Sequence, residues 1–322
     1  MRLLIGFDQY PLDPFEVLLP GWEVFRTSPD RFAELADGMD VLTPIGAKVD
    51  ADLLTGGTFK LVQQFGVGLE TVDIDAATAA GVLVSRLPGD VTGNADSVAE
   101  HAVLLALALS RQLDAARQAL RDRKWSQPVA RALFDGTVAI IGLGAIGIAA
   151  AKRLAGFGPR LIAVRARPEL GGPPEVERVY GVDQLPEVLA QADVVISALM
   201  FGEHNRNFFD AKAFAAMKPG ALFVNVARGG LVDEAALLAA LESGHLGGAG
   251  LDVHAVEPAD PDSPLVKHPN VIATPHIAGV TQQMMLRSLI AFTDNLKRYA
   301  AGEPLLWTVN EPSQVVQGRP QH

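Results

Sequence analysis

The stretch Val138-Ala-Ile-Ile-Gly142-Leu-Gly144-Ala-Ile-Gly147 decides how the rest of this 322-residue chain is read. Its first four residues are apolar without alternation, which predicts a strand over Val138–Ile141 covered on both faces. A helix is expected to follow over Ile148–Leu154. Between the two stand glycines in the spacing G-x-G-x-x-G. Gly142 permits the tight turn, Gly144 lets the backbone approach a pyrophosphate, and Gly147 lets helix pack on strand. The helix N-terminus offers unpaired N–H groups to the phosphates, so dinucleotide binding is expected, with Ala145 and Ile146 against the pyrophosphate. Related glycine loops also occur in methyltransferases, which the motif alone leaves open.

Outward from this turn, short β-branched runs alternate with alanine- and leucine-rich runs, the pattern of an α/β fold with parallel sheets. Strands are expected at Leu3–Phe7, Val41–Thr43, Leu61–Gln64, Val82–Ser85, Val138–Ile141, Leu161–Val164, Val194–Ser197, Leu222–Asn225, Gly248–Leu251 and Val271–Ala273. One long helical run, Ala95–Lys124, separates the first strands from the rest, and a second, Thr281–Ala300, follows the last strand. The expected arrangement is two α/β units joined by two crossing helices, with the chain returning to its first unit. The Gln-rich tail from about Ser313 is expected to be mobile.

Composition narrows the function. The net charge of −10 argues against a nucleic-acid or membrane-surface binder, which would carry a basic face. The absence of cysteine excludes disulfides, thiolate catalysis and cysteine metal sites. Met1–Gly6 is too short an apolar run for a signal peptide, and Val138–Ala151 is shorter than the ~20 residues of a membrane span. A cytoplasmic protein is expected.

The strand after the glycine turn, Leu161–Val164, leads to the position that meets the adenosine ribose. NAD calls for an acidic residue there, whereas this chain has Arg165 and Arg167, which suit a 2′-phosphate. NADPH is therefore the expected coenzyme, with NAD possible. Two solvated arginines, or arginines stacked on the adenine, are the plainer alternative.

Motifs in order along the chain carry a family resemblance. They are Gly66-Val-Gly-Leu-Glu-Thr-Val-Asp73, Asn94-Ala-Asp-Ser-Val-Ala-Glu100, the glycine turn, Asn225-Val-Ala-Arg-Gly-Gly230, Gly250-Leu-Asp-Val-His-Ala-Val-Glu-Pro258 and Thr274-Pro-His-Ile-Ala-Gly279. Together they resemble the D-isomer-specific 2-hydroxyacid dehydrogenases, those similar to glyoxylate and hydroxypyruvate reductases in particular. The resemblance implies a Rossmann-type coenzyme domain over residues 95–280. It implies a discontinuous, flavodoxin-like substrate domain from residues 1–94 and 281–322, and a homodimer paired through the coenzyme domain. It places catalysis on Arg228, Glu257 and His276.

Those residue types suit the chemistry. Reducing a 2-oxo acid needs a held carboxylate, a polarised carbonyl, a hydride and a proton. Arg228 follows an apolar strand, and its permanent charge would grip both carboxylate and carbonyl oxygen. His276 would give or take the proton near neutral pH, with Glu257 orienting it and favouring its charged form. His254 is the rival acid and is expected to act only through its neighbours, while His101 is expected to be a packing or dimer residue. The turn at Val67 and Gly68 would offer N–H groups to the substrate carboxylate. Asp252 corresponds to the family residue that meets the nicotinamide carboxamide, with a strand-end cap as the alternative. Val226, Ala227, Ala278 and Gly279 would line the nicotinamide side. No metal is expected, because hydride transfer needs none.

The sequence also departs from the family. Leu199-Met-Phe-Gly-Glu-His-Asn205 stands where members often carry Pro-Leu-Thr, and both usual threonines are missing. Val67 replaces the lysine of phosphite-oxidising relatives, and Glu257 the glutamine of formate-oxidising ones. A small 2-oxo acid such as glyoxylate or hydroxypyruvate, reduced to the D-2-hydroxy acid, is the expected substrate. The alternative is a dinucleotide-sensing scaffold without turnover, similar to the corepressors that share this fold.

Overall fold

The computed structural model describes residues 1–9 and 12–312, so the tail from Ser313, expected to be mobile, lies outside the described residues. The chain forms two compact units. One comprises Met1–Gly93 and the chain from Gln282, the other Asn94–Thr281.

The first unit holds the strands β1 (Arg2–Ile5), β2 (Glu23–Arg26), β3 (Val41–Thr43), β4 (Leu61–Gln63) and β5 (Leu83–Ser85). They form one sheet in the order β2-β1-β3-β4-β5, and the strand pairs are parallel. This is the flavodoxin-like order. Alternate residues of β1 show why its apolar run does not alternate: Leu4 packs into one core, Leu3 and Ile5 into the other. The helix Gln282–Ala301 is held by a buried amide. Asn295 Nδ2 donates to Gln63 Oε1 at 2.6 Å and to Ser85 Oγ at 3.1 Å, while its Oδ1 accepts from Leu306 N at 2.8 Å.

The second unit holds β6 (Thr137–Ile141), β7 (Arg160–Val164), β8 (Arg178–Tyr180), β9 (Val194–Ser197), β10 (Ala221–Asn225), β11 (Leu246–Leu251) and β12 (Val271–Ala273). Their order is β12-β11-β10-β9-β6-β7-β8, again parallel, which is the doubly wound Rossmann order with an added edge strand. Ala139 and Ile141 of β6 belong to one core, Val138 and Ile140 to the other, so helices cover both faces. The strand order reverses between β6 and β9. A ligand crevice belongs at the carboxyl ends of strands beside such a switch point, where the glycine turn lies.

Three sequence expectations need correction. Strands β2 and β8 were not anticipated; both are edge strands of three or four residues with arginine or glutamate at an end. The helical run Ala95–Lys124 is two helices, Asn94–Ser110 and Leu113–Arg121, broken at Gln112 where φ is +48°. The glycine-turn helix begins earlier than expected, at Ala145, and ends at Ala155. No helix among the described residues is long and apolar enough to cross a membrane.

Candidate active site

The glycine turn divides its work as the spacing demands. Gly142, at φ +109°, packs so closely against β9 that a Cβ would come within 2.5 Å of the Ala198 carbonyl oxygen. A Cβ on Gly147 would overlap the carbonyl oxygen of Gly142. These two glycines are needed for the fold itself. Gly144 is different: it is exposed, and nothing lies within 4 Å of where its Cβ would be. It precedes the 11-residue helix Ala145–Ala155 with no side-chain cap on the helix N-terminus. Open backbone leading into uncapped helical N–H groups fits the pyrophosphate of a dinucleotide.

At the end of β7, Arg165 is half-buried and Arg167 exposed. Arg165 Nη1 donates to the Gly171 carbonyl at 2.6 Å, so the guanidinium is braced on the following turn.

The candidate chemical groups follow the carboxyl ends of three neighbouring strands: Arg228 after β10, Asp252 after β11 and His276 after β12. His276 has φ +55°, a left-handed conformation uncommon for any residue but glycine. Asp252 is what holds it there. The Asp252 carbonyl accepts from His276 N at 2.7 Å. Its carboxylate accepts from Ile277 N at 2.9 Å, from Ala278 N at 2.8 Å and from Thr274 Oγ1 at 2.6 Å. Three consecutive amides are thus gathered onto one residue, itself 1 % exposed.

The His276 ring meets Glu257 through Nδ1 and Oε2 at 2.7 Å, the length of a charge-assisted hydrogen bond. Glu257 Oε1 accepts from His254 N at 3.0 Å, which fixes the carboxylate. The Glu257 hydrogen bond raises the His276 pKa above its ordinary 6.5, against opposition from burial and from the Arg228 charge. Burial works to raise the Glu257 carboxyl, but the hydrogen bonds from His276 and the His254 amide outweigh it and hold the pKa below its ordinary value. With Nδ1 committed to Glu257, Nε2 is the nitrogen that can exchange a proton with a ligand.

Arg228 is half-buried, and its loop is stiff. Fully buried Asn225 donates to the Arg228 carbonyl at 3.0 Å and accepts from Ala227 N at 3.1 Å. The guanidinium donates through Nη1 to the Ala227 carbonyl at 2.8 Å. Gly229 lies directly on the backbone of His254, and Gly230 against the ring of Phe201. The small residues after Arg228 therefore serve close packing of this loop onto its neighbours.

A family model, the D-isomer specific 2-hydroxyacid dehydrogenase NAD binding domain, matches residues 103–278. The chain belongs to this dehydrogenase family. The D-3-phosphoglycerate dehydrogenase of Mycobacterium tuberculosis is 38% identical over 294 residues, covering 89% of this chain and 54% of that protein. The chain spans about half the length of the curated relatives it matches. A crystal structure from Thermus thermophilus superposes with a TM-score of 0.84 at 29% identity, covering 96% of this chain and 100% of that one. A glyoxylate reductase from Paecilomyes thermophila gives a TM-score of 0.80 at 28% identity, covering 96% and 97%.

In this member of the dehydrogenase family, Asn205 holds the loop after β9. Where the threonines are missing, Asn205 Oδ1 accepts from Gly202 N at 2.9 Å and Asn205 Nδ2 donates to the Met200 carbonyl at 2.8 Å. One asparagine closes the loop. Val226, Ala227 and Ala278 are buried, and the Ala278 amide donates to Asp252. Val67 and Gly68 belong to the other unit, after β4, where their carbonyls accept from Arg86 Nη1 at 3.2 Å and Gln64 Nε2 at 2.8 Å. His101 hydrogen-bonds Thr274 through Nε2 at 3.0 Å. Sequence reasoning missed Thr274 and Asn225; the only signal was their place inside Thr-Pro-His and Asn-Val-Ala-Arg.

Proposed function

We propose that this dehydrogenase-family chain reduces a small 2-oxo acid to the D-2-hydroxy acid, with NADPH preferred over NADH. The observation that carries the reading is the 2.7 Å His276–Glu257 pair, whose imidazole is biased toward its proton-bearing form beside the positively charged Arg228. When bound, the coenzyme would supply the hydride that the substrate carbonyl carbon needs. His276 delivers the matching proton from Nε2 to the carbonyl oxygen, which becomes the hydroxyl. Glu257 stabilises the charged imidazole before transfer and keeps the ring aligned. Arg228 holds the carboxylate and polarises the carbonyl through its planar fork. Asp252 fixes the histidine loop and offers its remaining acceptor capacity to the nicotinamide carboxamide, while Val226, Ala227, Ala278 and Gly279 form the wall beside the ring.

Glyoxylate and hydroxypyruvate are the proposed substrates. The NADPH preference rests on Arg165 and Arg167, which stand at the end of β7 where an NAD-binding strand would end on an acidic residue. We further propose a cytoplasmic homodimer paired through the coenzyme unit. Leu104, Leu113, Leu120, Trp125 and Val129 are exposed there, with Trp125 at 90 %, as unburied interface residues would be. Initial rates with NADPH and NADH across glyoxylate, hydroxypyruvate, pyruvate and 3-phosphohydroxypyruvate test the reading, and light scattering tests the dimer. Turnover is expected with the first two acids. Tight coenzyme binding without turnover of any acid would point instead to a dinucleotide sensor.

A further inference from the structure

Thr274 is gripped at both of its polar ends by histidines that the reaction does not use. His254, 7 % exposed, meets the Thr274 carbonyl through Nε2 at 3.1 Å. His101 meets the Thr274 hydroxyl through Nε2 at 3.0 Å. The direction of the second bond follows from counting protons. The hydroxyl has one proton, and its 2.6 Å contact with Asp252 Oδ1 is a hydrogen bond to a carboxylate, which accepts only. The hydroxyl must therefore accept from His101, so His101 Nε2 bears a proton. The same Nε2 lies 3.5 Å from Asp252 Oδ1, with the His101 side chain 12 % and that of Asp252 1 % exposed.

The chain of bonds runs from one rigid element to the candidate acid. His101 stands on the helix Asn94–Ser110, whose Leu105 packs where Gly250 of β11 has no side chain. From His101 the bonds pass to Thr274 Oγ1 and to the Asp252 carboxylate. They end at the amides of Ile277 and Ala278, immediately after His276. We propose that His101 is a positioning residue: by donating to Thr274 it fixes which way the hydroxyl points. That keeps Asp252 oriented toward the amides that hold His276 in its left-handed conformation. The inference rests on the reading of His276 as proton donor. His101 itself touches neither substrate nor coenzyme in this account.

The experiment compares full-chain His101→Leu, His101→Gln and Thr274→Val with the parent, by amide hydrogen exchange and steady-state kinetics. Leucine fills the space without a donor, whereas glutamine restores an N–H. In His101→Leu, exchange at Ile277 and Ala278 is expected to quicken about tenfold, the effect of one lost buried hydrogen bond. Its kcat should fall about tenfold, with KM for coenzyme moving less than about twofold, and His101→Gln should recover most of both losses. Thr274→Val should reproduce the leucine phenotype, and the double variant His101→Leu/Thr274→Val should be no worse than either single one. A purely space-filling histidine gives equal effects for leucine and glutamine and additive losses in the double variant; either result overturns the proposal. So does unchanged exchange and kcat in His101→Leu. Should His101→Leu fail to fold, Thr274→Val alone decides by the same readouts. If the parent turns over no 2-oxo acid, the proposed function fails, while exchange at Ile277 and Ala278 still decides the role of His101.

Discussion

Alanine at Gly144 and at Gly147 should have opposite consequences, although the two glycines sit three residues apart in one motif. Gly144 has φ −83° and ψ −165°, extended backbone that alanine adopts, and its Cβ would meet nothing within 4 Å. Gly144→Ala should leave the unliganded fold intact or stabilise it by about 0.4–1 kcal/mol, through lost freedom of the unfolded chain. The same methyl would stand where the pyrophosphate approaches the backbone, so dinucleotide affinity should drop at least about tenfold, or ~1.4 kcal/mol. At a concentration of about 100 times the parent's Kd, the ligand stabilises the parent by ~2.7 kcal/mol and a tenfold weaker binder by only about 1.4 kcal/mol. The thermal shift on adding NADPH should therefore be halved or less. At Gly147 the methyl would collide with the Gly142 carbonyl, a backbone atom that cannot rotate away. The helix must retreat, at a cost of about 1–3 kcal/mol or more, visible without any ligand. Thermal unfolding with and without NADPH, backed by calorimetric titration, measures both effects. Undiminished binding by Gly144→Ala would refute the assignment of this turn as the pyrophosphate cradle, and an unaltered melting temperature in Gly147→Ala would refute the packing argument.

Other perturbations probe the remaining parts of the site. Because Glu257 raises the His276 pKa, the proton-bearing imidazole is present below that raised value and lost as pH rises through it. In Glu257→Gln the alkaline fall of kcat/KM for reduction should move to lower pH; an unmoved limb would assign the proton elsewhere. The same linkage bears on stability. The His276 contribution is complete below its ordinary 6.5 and disappears as pH rises through the raised value, whereas that of Glu257 is present above its ordinary 4.5 and disappears as pH falls through the lowered one. The melting-temperature difference between parent and His276→Ala should therefore shrink at both ends of that window. Arg228→Lys keeps the charge but loses the planar fork, and kcat/KM should fall roughly 100- to 1000-fold, the range for removing one preorganised donor. Arg165→Ala should lower the NADPH-to-NADH ratio of kcat/KM by about tenfold or more, as expected on losing a charged hydrogen bond; an unchanged ratio would leave the arginine as a brace for Gly171 only.

What the sequence disclosed follows from how local each feature is. Val138–Ile141 reads as a strand buried on both faces because successive side chains enter different cores, which a continuous apolar run requires. The edge strands Glu23–Arg26 and Arg178–Tyr180 escaped because a sheet edge needs no such run. The break at Gln112 escaped because it has neither glycine nor proline to announce it. At the site, the pairing of Glu257 with His276 was legible through the family resemblance and agreed with the residue types, whereas the setting that holds it was not. Asp252 gathers Thr274, Ile277 and Ala278 across 22 to 26 residues, and His101 reaches Thr274 across 173. Neither separation leaves a periodicity or spacing to read. The threonine-poor loop after β9 suggested a lost contact, and the structure shows Asn205 closing that loop through its own amide.

We propose that His276, held by Glu257 at 2.7 Å, provides the proton for 2-oxo acid reduction. It is tested most directly by the pH dependence of NADPH oxidation with glyoxylate, in the parent and in His276→Ala. Turnover in the parent should decline on the alkaline side, and His276→Ala should lose nearly all activity while still binding NADPH. Equal rates in parent and variant, with the same pH profile, would contradict it.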